Sequence, residues 1–123
     1  MKQDEIFLLD PIQISEIKNV INSAHVSAIV EPSGTMRLYS ITMPGEHSLM
    51  LGFEIIDKHY EYTIEIDDTV VAYMTIPVKS KKLTWVQSQI VDLFRCCSSK
   101  VMWQEEMFGF ARVIAANKGR SHS

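Results

Sequence analysis

The hydrophobic positions change period twice along the chain, and the changes divide it into three parts. After a short lead over residues 1–9, "DPIQISEIKNVINSA" carries Ile14, Ile17, Ile21 and Ala24 at helical spacing, with Val20 at the edge of the stripe. Asp10 suits the cap, Pro11 the first helical position, and Gln13 completes a capping-box pattern. From His25 the period falls to two. Five strand-like runs follow, over residues 25–31, 35–43, 48–56, 59–66 and 69–78, and short turn signals separate them. The cleanest run is "HYEYTIEI", with Tyr60, Tyr62, Ile64 and Ile66 on one face and His59, Glu61, Thr63 and Glu65 on the other. Gly34, Pro44-Gly45 and Asp67-Asp68 mark turns between runs.

The helical period returns at Thr84, which forms a second capping-box pattern with Gln87. Trp85, Val86, Ile90, Leu93, Phe94 and Cys97 continue an apolar stripe. "CSSK" lowers helix propensity without a glycine or proline stop, so residues 85–117 fit either one bent helix or two. Trp103, Met107, Phe110, Ala111 and Ile114 supply a further amphipathic run, and residues 117–123 are expected to form a flexible tail.

This order predicts a single α+β domain over residues 1–123. An N-terminal helix and a C-terminal helix or helical hairpin would pack on one face of a five-stranded antiparallel meander. The inner face is expected to hold Val26, Ala28 and Val30; Leu49, Leu51, Phe53 and Ile55; the even positions of "HYEYTIEI"; and Val70, Ala72, Met74 and Ile76. Tyr39, Ile41, Met43, Val71 and Tyr73 fall on the other face, more apolar than solvent demands. Together they make a candidate protein-binding patch.

Bulk properties narrow the class. A chain of 123 residues suits one domain. No apolar run approaches the ~18–20 residues of a membrane helix, and the start "MKQDEIFLLDP" lacks the pattern of a signal peptide. The two cysteines, Cys96 and Cys97, are neighbours, with Cα atoms about 3.8 Å apart, too close for an unstrained disulfide. They suit helix packing in a cytoplasmic protein, and no histidine stands at metal-ligand spacing from them. No cofactor or metal is expected, because no nucleotide-loop, nucleophile-elbow or zinc motif occurs.

The net charge of −3 hides an asymmetry: residues 1–67 carry 11 acidic and 4 basic side chains, residues 68–123 only 4 acidic and 8 basic. Within the basic half, Lys79, Lys81 and Lys82 stand before a helix N-terminus, where exposed backbone N–H groups and lysines together suit an anion. His59 and Glu61 share a strand face and form the one pair suited to acid–base work.

Two short resemblances are present. Gln89, Asp92, Leu93 and Phe94 of "QIVDLF" resemble the bacterial sliding-clamp docking peptide, Gln–x–x–Ser/Asp–Leu–Phe, whose glutamine fills a polar pocket and whose last two residues fill an apolar one. That peptide binds extended, whereas these residues lie in a predicted helix. The α+β layout and acidic balance are loosely similar to secretion chaperones, but those interrupt their strands with a helix after the third, a feature not predicted here.

The expectation is therefore a non-catalytic cytoplasmic interaction module: an adaptor, inhibitor, immunity-type or chaperone-like factor. It would bind a protein partner, or a second copy of itself, through the sheet face. The alternative is nucleic-acid or phosphate binding through Lys79, Lys81 and Lys82. A small hydrolase or nuclease using His59 and Glu61 is the third reading.

Overall fold

A computed structural model describes residues 5–30 and 35–101. Its element order is β1 (Glu5–Phe7), α1 (Pro11–Ser23), β2 (Ser27–Val30), β3 (Met36–Met43), β4 (His47–Ile56), β5 (His59–Ile66), β6 (Thr69–Pro77) and a second helix, α2, over residues 85–101. The class is α+β, as the periodicity predicts, but the sheet has six strands rather than five. The extra strand lies in the lead segment, where Glu5–Phe7 pairs antiparallel with β6. All pairings are antiparallel, in the order β1-β6-β5-β4-β3-β2.

That order dictates the path of α1. β1 and β2 lie at opposite edges, so the helix between them must cross the whole sheet. Five inter-strand gaps of about 4.8 Å span roughly 24 Å, and thirteen helical residues rise about 20 Å, so only short linkers are needed. The start of α1 is fixed by its capping box: Gln13 N donates to Asp10 Oδ1 at 2.8 Å, and Asp10 N donates to Gln13 Oε1 at 3.0 Å. Ile14, Ile17 and Ile21 face the sheet.

α2 packs on the same face, burying Ile90, Leu93, Phe94, Cys97 and Val101. Its capping box pairs Thr84 N with Gln87 Oε1 and Gln87 N with Thr84 Oγ1. The helix runs unbroken through "CSSK". Lys100, in its last described turn, donates to the carbonyls of Ile21, Asn22 and Ala24 at 2.5–2.9 Å. A cation thus closes the C-terminus of α1, the end whose dipole and unpaired carbonyls attract positive charge. Lys18 and Asp92 add a surface ion pair at 2.5 Å, and the hydrogen bond and charge of Asp92 raise the lysine pKa.

The turns are tight. Asp57-Lys58 and Asp67-Asp68 all have φ between +49° and +65°, the geometry of two-residue hairpins whose twist matches the strands. Asp67 is fastened further: its carboxylate accepts from Ser48 N at 2.9 Å and contacts His47 Nδ1 at 2.6 Å. Those two contacts hold its pKa below the usual carboxylate value. At the predicted Pro44-Gly45 turn, Gly45 takes φ +81° and Glu46 φ +62°. The turn at Gly34, the helical run from Trp103 to Ile114 and the tail over 117–123 lie outside the described residues.

Candidate functional site

The six strands have one face under the helices and one without cover among the described residues, and register decides which side chain goes where. Tyr39 pairs with Leu51 and Ala28, and Ile41 with Leu49. Directly paired residues share a face, so Tyr39 and Ile41 point inward with the core. Both are buried, at 3% and 2% exposure. Met43 packs against the same cluster. The signal was present in the turn. A connection of three residues pairs Met43 with His47, and this places the odd positions of β3 beside Leu49 and Leu51.

Val71 is displaced for another reason. A bulge interrupts the β5–β6 ladder: Ile64 pairs with Ala72 while Glu65 pairs with Val70. Val71 is the extra residue and packs against the core, whereas Val70, expected inside, is 38% exposed. Of the five residues expected to form an outward patch, Tyr73 alone keeps that place. It is half-buried, and its hydroxyl donates to Glu61 Oε2 at 3.4 Å.

The true outer face has a different composition. One row runs across the whole sheet as Ile29, Leu38, Gly52, Thr63, Tyr73 and Ile6. Flanking rows bring Met36, Glu54, Glu61 and Thr75 to one side, and Ser40, Met50, Glu65 and Val70 to the other. Ile56 and His59 lie at one end. Gly52 has no side chain, so the face dips there into a hollow of about 210 Å³. Met36, Leu38 and Thr63 line it, with Glu54, Glu61 and Glu65 around it. Ile29 is 69% exposed and Ile56 44%. Among the described residues of this face there are three glutamates and no lysine or arginine. The surface is acidic with apolar islands.

The other candidates separate. Lys79, Lys81 and Lys82 are exposed in the loop before α2, beside the capping box whose side chains already engage the N–H groups of Thr84 and Gln87. His59 and Glu61 do share the outer face, but His59 Nδ1 contacts the carbonyl of Asp57 at 2.8 Å and Glu61 accepts from Tyr73. No cluster of three metal-binding side chains occurs among the described residues. In "QIVDLF", Leu93 and Phe94 are spent on the core, at 0% and 5% exposure, which removes the two residues a docking peptide must offer. Trp85, expected in the core stripe, is 57% exposed because it opens the first turn of α2. Cys97 is buried and Cys96 half-buried; burial pushes the Cys97 thiol up to about 12, so neither is a ready nucleophile.

The chain matches no family model, no curated protein and no solved structure. No helix among the described residues is long and apolar enough to cross a membrane.

Proposed function

We propose that the protein is a non-catalytic interaction module that holds a protein partner on the outer face of its sheet. The partner would present basic side chains among apolar ones. The observation that carries this reading is the hollow at Gly52, ringed by Glu54, Glu61 and Glu65 and flanked by apolar side chains, on a face without lysine or arginine among the described residues. Charge complementarity steers encounter, and the apolar islands supply area to bury. An adaptor, inhibitor, immunity-type or chaperone-like role fits such a surface. Two copies of the face would set glutamates against glutamates, which favours an unlike partner over a face-to-face homodimer. The free thiols of Cys96 and Cys97 suit a reducing compartment such as the cytoplasm.

A second reading rests on the exposed Lys79, Lys81 and Lys82 beside α2, which would hold nucleic acid or another polyanion. One experiment separates the two. The tagged protein is used for capture from a native lysate, with and without nuclease treatment, beside an Ile29→Asp/Ile56→Asp variant and a Lys79→Glu/Lys81→Glu/Lys82→Glu variant. A partner lost only with the isoleucine changes supports the outer face. A partner lost only with the lysine changes, or with nuclease, assigns function to the loop instead.

A further inference from the structure

The inner face is not fully sealed. Beyond the reach of α1 it leaves a cavity of about 340 Å³ between the strands and α2, lined by Phe53, Tyr60 and Tyr62 from β4 and β5 and by Phe94 from α2. Phe53 lies 5.7 Å from Tyr60 and 5.1 Å from Tyr62 between ring centroids, and Tyr62 meets Phe94 edge-on at 4.9 Å. Two cations stand at this aromatic pocket, Arg37 on β3 and Arg95 on α2. Both are exposed, and neither forms an ion pair among the described residues. At the back, the hydroxyls of Tyr39 and Ser98 are joined at 2.6 Å. Val91, Arg95 and Ser98 form the α2 stripe beside the one that enters the core, so the helix presents this wall by its own periodicity.

A concave aromatic site with a few convergent polar groups is the usual form of a small-molecule pocket, and its volume lies within the ordinary range. Planar guanidinium groups recognise carboxylates with paired hydrogen bonds, and aromatic walls accept a flat apolar body by stacking or edge contact. We propose that this cavity binds a small aromatic carboxylate, its ring among Phe53, Tyr60, Tyr62 and Phe94 and its carboxylate held by Arg37 and Arg95. The site lies on the opposite side of the sheet from the proposed docking face and does not depend on it.

The test is calorimetric titration of the full chain with 2-naphthoate, and with 2-naphthylmethanol as the uncharged counterpart of similar shape. The acid should bind at least about tenfold more tightly than the alcohol. An Arg37→Gln/Arg95→Gln variant should lose about tenfold or more in affinity for the acid, the scale of one charge-assisted hydrogen bond, with little change for the alcohol. Both arginines are exposed, so an unchanged melting temperature verifies the fold of that variant. Equal affinity for acid and alcohol, an unchanged variant, or no binding of the acid would overturn the proposal. So would nuclear Overhauser contacts in the ligand-free protein from Trp103, Met107 or Phe110 to Phe53 or Tyr60, since this chain would then fill its own cavity.

Discussion

The two faces of one sheet have opposite fates. Inside, Leu49, Leu51, Ile64 and Met74 are wholly buried under two helices. Outside, the alternate positions of the same strands carry Met50, Gly52, Glu54, Glu61, Thr63 and Glu65, none of them fully buried. The two faces also differ in charge. The outer one carries three glutamates and no lysine or arginine among the described residues, whereas the helix side carries both signs, with Lys18, Arg37, Arg95 and Lys100 beside Glu16 and Asp92. Apolar side chains on the inner face are explained by the fold. Those on the outer face are not, and that difference locates the candidate surface.

The largest effect should come from emptying the inner face. Leu51→Ala removes a wholly buried side chain and should cost about 2–5 kcal/mol in denaturant unfolding, whereas Leu38→Ala on the opposite face should cost less than about 1 kcal/mol. Similar losses for the two would break the distinction between the faces.

Alkaline pH should weaken the inner face next. The Cys97 thiol is raised by burial from 9.0 to about 12, so between these values the unfolded chain loses its proton before the folded one. The contribution of this thiol is complete below about pH 9 and is lost as pH rises towards 12. In a pH series of unfolding curves, Cys97→Ala should be less stable at neutral pH and should fall less steeply above pH 9 than the parent. Parallel slopes would contradict the assignment.

Lys100→Met should cost about 1–2 kcal/mol by leaving three carbonyls at the end of α1 without their cation. Thermal melting, with helix content followed by circular dichroism, measures it. The smallest effect is a gain. A Cβ at Gly52 would meet Leu38 Cδ1 at 3.7 Å and Thr63 Cβ at 3.9 Å, ordinary contacts. Gly52→Ala should therefore stabilise by about 0.5 kcal/mol through the unfolded chain, while partially filling the outer hollow. Increased stability with weaker partner capture would sharpen the contrast. Unchanged capture would remove the hollow from the contact.

Local signals were strong wherever they decided local structure. Asp10-Pro11 with Gln13, Thr84 with Gln87, and the alternation of "HYEYTIEI" all specify what forms. The unread parts depend on partners distant in sequence. "EIF" is too short to show a period and becomes β1 only because β6 offers it an edge. β3 carries apolar residues at both parities, Leu38 as well as Tyr39 and Ile41, so its inward side is settled by pairing with β4. The bulge in β6 inserts one residue and exchanges the roles of Val70 and Val71. The candidate patch drawn from those strands moved accordingly. Tyr73 was legible, and the acidic ring around Gly52 was not, because its members come together only through register across β3, β4 and β5.

The most direct test of the central claim is carboxylate footprinting of the complex with its captured partner. Side-chain carboxylates are labelled in the free and bound protein and the sites compared by mass spectrometry. Binding on the outer face should lower labelling of Glu54, Glu61 and Glu65 together and leave Glu16, exposed on α1, unchanged. Unchanged labelling at the three glutamates, with protection confined to the helix side, would contradict it.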